Sequence, residues 1–427
     1  MKTIARLIIG NEHLNIEKRN MVWNMIGSFL YAFASMVLTI AVVQIAGEDA
    51  GGIFTFAFTT LGQHMFTIAY FGIRPFQITD TGYKYSFGEY LGLRLFTCAA
   101  ALLVGLGFVA INDYSFDKAM TVVLMVVYKV MDALADAYEA EFQRNGRLYL
   151  TGKSNAFRTI CSVGMFLGTL AVTGELVVAS GAAAAAQVAG FLVFDVLVIR
   201  ELPNVDWNMK FGNMFMLFKD NTLLFFSVVI DFYIFSASKY AIEACMTDKD
   251  MALYGAIFMP TSVINLVAGF VIRPYLTRLS YSWNRRDFDK FLKQIGILGS
   301  VISALSVLTL GCAWFLGIPV LSLLYSNLSY ALADCRGAFV LIILGGALNA
   351  FMSLFYYALV IMEKQKGIFV VYGIVGIVAV LISTPFVRWS GVFGGSLAYV
   401  ILMALLMILF GVQVFGTVFR KKRLSVW

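Results

Sequence analysis

The chain has 427 residues, of which 60% are apolar, 15% aromatic and only 13% charged. This composition excludes a water-soluble surface and indicates a polytopic membrane protein. The formal net charge of +7 follows from the placement of lysine and arginine around membrane spans, so it is no evidence for a nucleic-acid partner.

An apolar stretch needs about 20 residues to cross roughly 30 Å of hydrocarbon as a helix. In lipid such a stretch must be helical, because its backbone groups have no water to bind. Twelve stretches qualify, at 21–46, 51–73, 91–112, 119–138, 155–175, 178–199, 222–244, 251–272, 294–316, 337–362, 367–387 and 392–417. The predicted fold class is therefore all-α, with twelve transmembrane helices, numbered here as spans one to twelve.

The inner ends of spans two and eight carry related sequences. Residues 69–76 read AYFGIRPF and residues 268–275 read AGFVIRPY, with five of eight positions identical. Internal repeats of this kind build many transporters. Two copies in the same orientation predict two six-helix lobes, related by a pseudo-twofold axis along the membrane normal, that alternate as rigid bodies.

The predicted domains follow from that repeat and from the polar segment between spans six and seven. They are an N-lobe at 21–200, an inter-lobe connection at 201–221 and a C-lobe at 222–418. Residues 1–20 form an interfacial segment, because Asn11, Glu12 and His13 interrupt the apolar run that a signal peptide needs. Residues 419–427 are a basic tail.

The lysines and arginines predict which way the chain crosses the membrane. Most of the 32 fall in the amino terminus, the even-numbered connections and the tail. Four fall on the other side: Lys118, Lys249, Arg336 and Arg388. By the positive-inside rule both termini are cytoplasmic.

The five cysteines predict no metal site. Their number is odd and their spacing fits no metal-ligand pattern, so Cys98, Cys161 and Cys312 are interpreted as apolar packing residues. Cys245 and Cys335 fall on predicted outer loops, where a disulfide stays open.

Charged residues inside the spans carry the chemical information, since each costs about 2.5–3.5 kcal/mol on insertion scales unless paired or facing water. On span four, Lys129, Asp132 and Asp136 are spaced i, i+3, i+7 and share one face. Span seven carries Asp231 near its middle and Lys239 in its outer third. Alternatively, Lys129–Asp132 is a structural ion pair and Lys239 pairs with Glu243 at the surface.

Further polar residues lie on spans two, three and eight. His64 is central in span two and either bonds a carbonyl or carries a proton. Arg74, Arg94 and Arg273 lie near the inner rim, where arginines also snorkel to headgroups without further function.

The cations Arg74, Arg94, Lys129, Lys239 and Arg273 together predict a path for an anionic, phosphate-bearing cargo. The remaining polar candidates, His64, Asp132, Asp136 and Asp231, balance charge or bind a coupling ion, Na⁺ or H⁺. The sequence contains no nucleophile–base pair, phosphate loop or metal-ligand cluster, so no catalytic site and no cofactor are predicted.

Several segments resemble one known family, the polysaccharide flippases of the multidrug/oligosaccharidyl-lipid/polysaccharide exporter superfamily, especially those of Gram-positive bacteria. The resemblance covers most of the chain. The segments that carry it are Ile73–Asp80, Glu89–Arg94, Gln143–Arg147, Ser238–Glu243 and Tyr254–Leu276.

The resemblance implies a central cavity that opens alternately to each side. It implies a protein that is not an enzyme and that moves an undecaprenyl-diphosphate-linked oligosaccharide from the inner to the outer leaflet of the bacterial cytoplasmic membrane. Polysaccharide polymerases and glycosyltransferases would be its partners, beside membrane lipids. Relatives that flip the peptidoglycan precursor usually have fourteen spans, which disfavours that cargo.

Two other classes stay open. A cation-coupled multidrug exporter of the same superfamily would share the fold, but such exporters typically use carboxylates in the outer half of the N-lobe, and span one has no Asp or Glu. A membrane polysaccharide polymerase or glycosyltransferase needs a sizeable outer loop, and most outer loops here are under ten residues.

Overall fold

The chain folds into helices arranged as two compact units. The computed structural model describes residues 2–10, 15–80, 82–203 and 205–424, and no strand occurs among them. The first unit is Met1–Phe225 and the second is Phe226–Trp427. The predicted all-α fold class is confirmed.

The helices account for the twelve predicted spans. Within the described residues nine helical stretches are long and apolar enough to cross a membrane. Two of the nine, Ile16–Thr79 and Gln365–Arg423, each contain two spans, because the backbone leaves the helical region at Gly47 (φ 89°, ψ −178°) and at Ser390–Gly391. The twelfth, Phe116–Arg144, is a 29-residue helix that carries more charge than the other spans. The protein is thus a multi-pass membrane protein.

The first unit is built on spans one to six. Its helices are Lys2–Ile9, Ile16–Phe54, the π-helical Thr55–Leu61, Gly62–Tyr70, Arg74–Thr79, Phe87–Ile111, Phe116–Arg144, Leu148–Thr173, Leu176–Phe191, the π-helical Leu192–Val196 and Leu197–Ile199. Helix Phe211–Cys245 follows and runs from this unit into the next. It begins within the polar segment 201–221, so residues 211–221 are helical.

The second unit is built on the rest of span seven and spans eight to twelve. Its further helices are Asp248–Phe258, Pro260–Ile272, the 3-10 turn Arg273–Tyr275, Leu276–Asn284, Phe288–Cys312, the π-helical Ala313–Gly317, Ile318–Leu324, the 3-10 turn Ser326–Leu328, Ser329–Asp334, Arg336–Ile361 and Gln365–Leu424. Pro260 divides span eight, because proline has no N–H to donate to the preceding turn. All five cysteines are free thiols, so Cys245 and Cys335 form no disulfide.

Spans one and five touch backbone to backbone. A Cβ atom added at Gly27 would lie 2.5 Å from the carbonyl oxygen of Gly152, and one added at Gly152 would lie 2.2 Å from the backbone of Trp23. Small residues permit this close approach of membrane helices. Tyr31 and Arg158 follow within two turns of the contact, so both helices deliver a polar side chain to the region beside span four.

Two π-helical turns lie close to the polar residues of the first unit. The turn Thr55–Leu61 immediately precedes Gln63 and His64, and the turn Leu192–Val196 contains Asp195. A π turn inserts an extra residue and rotates the side chains that follow it, and it often occurs at functional sites. Asp195 lies within the second of these turns and is fully buried.

Candidate functional site

Span four is the polar axis of the first unit. Lys129, Asp132, Asp136 and Glu139 all lie on helix Phe116–Arg144, and all four are buried. Burying this many charges is tolerable only where partners and hydrogen bonds compensate the lost hydration. Neighbouring helices supply partners to the three carboxylates in two clusters, and Lys129 contacts a separate set of side chains.

The first cluster places two arginines on one carboxylate. Arg74 donates to Asp136 Oδ1, and Arg94 Nη2 lies 3.1 Å from Asp136 Oδ2. Arg74 also donates to Gln143 Oε1 (3.2 Å) and lies 3.5 Å from Glu139. The Arg74 side chain is 21% exposed, whereas that of Arg94 is fully buried. Asp136 is therefore the shared counter-ion of a partly exposed arginine, Arg74, and a buried one, Arg94. We call these two arginines with their carboxylate the Asp136 pair.

Local structure explains these two positions. Arg74 begins the short helix Arg74–Thr79, where Pro75 occupies the first turn, a position in which its missing N–H costs nothing. Arg94 lies on helix Phe87–Ile111 and also donates to the Ala69 carbonyl oxygen at 3.3 Å. The end of span two is thereby joined to spans three and four.

The second cluster surrounds Arg158 of span five, and we call it the Arg158 node. Its guanidinium lies 2.8 Å from Asp132, 3.1 Å from Glu139 and 3.1 Å from Asp195. Three hydroxyl or amide donors complete the node: Tyr31 to Asp132 (2.7 Å), Gln187 to Asp132 (3.2 Å) and Ser154 to Asp195 (2.7 Å). The guanidinium thus joins spans four, five and six, and Tyr31 adds span one through Asp132.

Sequence reasoning did not select Arg158, Glu139 or Asp195. A signal was present, because adjacent spans five and six carry opposite charges, Arg158 and Asp195, near their predicted inner ends. Opposite charges at one depth on neighbouring helices are the pairing that a membrane interior favours.

Among the described residues Lys129 forms no ion pair with either cluster, and its ammonium lies 5.7 Å from the ring centroid of Tyr31. It donates to Gln63 Oε1 at 3.1 Å, and its ammonium lies 4.0 Å from the ring centroid of Phe58, in cation–π range. The sequence left open an ion pair between Lys129 and Asp132, but in the structure Asp132 pairs with Arg158 instead. His64 is half-buried one residue after Gln63.

A third set of polar contacts fixes the chain after span two against the end of span four. Arg144 bonds Asp80 (3.3 Å) and Glu141 (3.4 Å), while Gln77 donates to Glu141 (3.1 Å) and to the Ala137 carbonyl oxygen (3.1 Å). These contacts give a structural role to residues in two of the segments that carry the family resemblance, Ile73–Asp80 and Gln143–Arg147. Arg74 of the Asp136 pair lies beside these contacts and stays 21% exposed.

In the second unit the selected residues have different surroundings. Asp231 faces the hydroxyl of Tyr372. Lys239 is buried, with its ammonium 4.3 Å from the ring centroid of Phe258. Arg273 begins a 3-10 turn, and its side chain lies outside the described part of the structure. The structure therefore brings together Arg74, Arg94 and Asp136 among the selected residues, and surrounds Asp231 and Lys239 with aromatic groups.

Comparisons with known proteins identify the fold. No family model and no curated protein sequence matches the chain. Among solved structures it resembles an inward-facing multidrug resistance MATE family transporter of the MOP superfamily, with TM-score 0.65 and 10% identity over 99% of each chain. It also resembles MATE in complex with MaL6, with TM-score 0.62 and 11% identity over 98% of this chain and 99% of the other.

A third similar structure is a MOP superfamily transporter from Pyrococcus furiosus Vc1 (DSM3638). Its TM-score is 0.56, with 11% identity over 97% of each chain, and it is described as having a binding pocket of reverse polarity that suggests a different function. Identities this low show the fold alone. The chain has the two-lobe fold of MATE transporters.

Proposed function

We propose that this protein is a flippase of the bacterial cytoplasmic membrane. Its cargo is an undecaprenyl-diphosphate-linked oligosaccharide, which it carries from the inner to the outer leaflet by alternating access for surface polysaccharide export. Both termini face the cytoplasm in this proposal. Glycosyltransferases supply the cargo and a polymerase consumes it, so the protein itself carries out no chemical reaction.

The Asp136 pair is the observation that carries the proposal. Two guanidinium groups converge on a single carboxylate, and one of them is partly open to solvent. A diphosphate offers more anionic oxygens than one carboxylate and suits the planar fork of arginine. Arriving cargo can therefore replace Asp136 as the partner of Arg74 first and of Arg94 afterwards.

The same exchange gives a way to release the cargo. In the empty site Asp136 pairs with both arginines and Glu139 lies 3.5 Å from Arg74, so neither guanidinium is left as an unpaired buried charge. A coupling ion, Na⁺ or H⁺, would neutralise the displaced carboxylate while the cargo is bound. Asp132, Asp136, Asp231 and His64 are the candidates for holding that ion. Lys129 and Lys239 are the candidates for later phosphate contacts.

A leaflet-accessibility assay tests the proposal. Vesicles containing the purified protein and a fluorescent lipid-linked oligosaccharide are treated with a quencher that reaches one leaflet. We expect Arg74→Ala and Arg94→Ala to slow translocation at least tenfold. Arg74→Lys should lose less, because lysine keeps the charge but not the bidentate fork.

The exposed Arg200 supplies the matched control, since it is an arginine of the same unit outside both clusters. Arg200→Ala should translocate at close to the parent rate. If Arg74→Ala and Arg94→Ala insert normally and also match the parent, the Asp136 pair does not meet the cargo and the proposal fails.

A cation-coupled multidrug exporter is the second candidate function. Two observations favour it: a similar structure is a multidrug resistance transporter, and the first unit buries several carboxylates near Arg158. Efflux of a cationic dye that is lost on Asp132→Asn, with no flipping of the lipid-linked oligosaccharide, would support this class. A polymerase or glycosyltransferase has weaker support, because the described residues group no catalytic constellation with an outer loop.

A further inference from the structure

The connection between spans eight and nine forms a basic cleft in the second unit. Helix Leu276–Asn284 and the start of helix Phe288–Cys312 enclose about 470 Å³, lined by Arg278, Tyr281, Ser282, Lys290 and Gln294. The cleft lies between the end of one membrane helix at Ile272 and the start of the next at Phe288. It therefore lies at the depth where helices leave the hydrocarbon.

Packing holds the cleft in shape. Trp283 packs on Phe288 and Phe291, with ring centroids 5.4 and 5.3 Å apart. At the cleft floor the buried Ser282 hydroxyl donates to Gln294 Oε1 at 3.3 Å. The two helices are thus fixed against each other by aromatic contacts on one side and by a hydrogen bond on the other.

The two cations of the cleft have no carboxylate in ion-pair contact among the residues that the structure describes. Of the nearby carboxylates, Asp289 pairs with Lys422, and Asp287 accepts from the backbone N–H of Lys290 at 3.1 Å. In the described part of the chain neither Arg278 nor Lys290 makes an ion pair. Two cations facing one cleft over a hydroxyl and an amide are a set of donors for a phosphate group.

The helix face above the cleft is apolar. Gln294, Ile297 and Val301 continue the face of Lys290 at helical spacing, and Ile297 and Val301 are 47% and 41% exposed. At about 1.5 Å per residue, Val301 lies roughly 16 Å along the helix from Lys290. Such a face suits an acyl chain that descends from a headgroup held in the cleft.

We propose that this cleft binds the phosphate of an anionic membrane lipid, with an acyl chain of the same lipid along Ile297 and Val301. Basic pockets on the cytoplasmic side of membrane proteins hold acidic headgroups in this way. The apolar face favours a lipid over a free phosphate, because a soluble anion would gain nothing from it. The site is independent of the cargo and of the Asp136 pair.

Native mass spectrometry of the full chain in detergent tests this site by counting bound phosphatidylglycerol. The cleft variant Arg278→Gln/Lys290→Gln should bind phosphatidylglycerol at least fivefold more weakly than the parent. Lys293→Gln/Lys366→Gln removes the same number of exposed charges outside the cleft, so its binding should stay within twofold. Phosphatidylcholine, whose headgroup has no net charge, should bind the parent at least fivefold more weakly.

Three results would overturn the assignment. Equal losses in the cleft and control variants would mean that only general surface charge matters. Equal binding of phosphatidylcholine would mean that the net charge of the headgroup does not contribute to binding. Competition by glycerol phosphate at the same concentration as the lipid would make this a site for a soluble phosphate. Because the readout is lipid binding, failure here leaves the transport proposal untouched.

Discussion

The two units hold their buried charges in opposite ways. In the first unit Arg158 contacts Asp132, Glu139 and Asp195, and Asp136 lies between two arginines. In the second unit Asp231 faces the hydroxyl of Tyr372 and Lys239 lies over the ring of Phe258. The first unit contains buried charge networks, whereas the two charges described for the second unit, Asp231 and Lys239, lie singly beside aromatic side chains.

This difference predicts which charged side chains can be substituted without loss of stability. Removing one member of a buried network leaves an uncompensated charge, which costs about 3–5 kcal/mol, whereas replacing a whole network by apolar residues is often neutral. A single buried charge without an ionic partner leaves nothing uncompensated when it is removed. The first unit should therefore be intolerant of single charge changes, and the second should tolerate them.

The largest expected effect is at the Arg158 node. Arg158→Met leaves three carboxylates without their shared cation, so we expect severe loss of stability, on the order of 3–5 kcal/mol or more, and little folded protein. Lys239→Met removes a buried ammonium that lies over a ring, and it should match or exceed the parent in stability. Monodisperse yield by size exclusion and the thermal midpoint in detergent measure both. Equal loss in the two variants would remove the proposed distinction between the units.

The charge swap Lys129→Asp/Asp132→Lys tests which partner Asp132 has. A direct Lys129–Asp132 pair would be restored by the swap. In the structure Asp132 bonds Arg158 and Lys129 bonds Gln63, so the swap places a lysine beside Arg158. We expect stability to fall nearly as far as in Arg158→Met. A stable, fully active double variant would instead show that the two residues interact only with each other.

The architecture was predictable because lipid imposes a simple rule. Hydrophobic length gave all twelve spans, since every spanning segment must satisfy its own backbone. The start of span seven was predicted too late in the chain. Residues 211–221 are polar and were therefore interpreted as a connection, but they form the first turns of helix Phe211–Cys245. Polarity reports the water boundary, whereas a helix can extend beyond it.

The candidate site was only partly predictable. Counting residues along each span placed Arg74, Arg94 and Asp136 toward the inner side of the membrane. In the structure these three residues do meet, because opposite charges at similar depths on neighbouring spans form pairs. Sequence reasoning considered Lys129 as the partner of Asp132 and did not single out Arg158, which pairs with Asp132 in the structure. The partner of Asp132 depends on the rotation of spans one and five, which the contact at Gly27 and Gly152 sets at the backbone level. No periodicity in a single helix contains that information.

The close contact of spans one and five gives a smaller test of the first unit. Gly152→Ala places a Cβ 2.2 Å from the Trp23 backbone, so the helices must separate, and overpacking of this kind costs about 1–3 kcal/mol. Gly164→Ala on the same helix has nothing within 4 Å and should be neutral or slightly stabilising. Thermal midpoints compare the two. If Gly152→Ala is as stable as Gly164→Ala, this contact does not position the Arg158 node.

The smallest expected effect is at Asp231. Asparagine keeps the size of the side chain, and its amide oxygen can still accept from Tyr372, so Asp231→Asn should change the free energy of unfolding by less than about 1 kcal/mol. Asp132→Asn is the matched change in the first unit, and it should cost several times more, because Arg158 loses part of its charge balance. Thermal midpoints of the two variants at neutral pH measure the ratio. A loss at Asp231 as large as that at Asp132 would mean that a cation faces Asp231, and the second unit would then contain a charge network of its own.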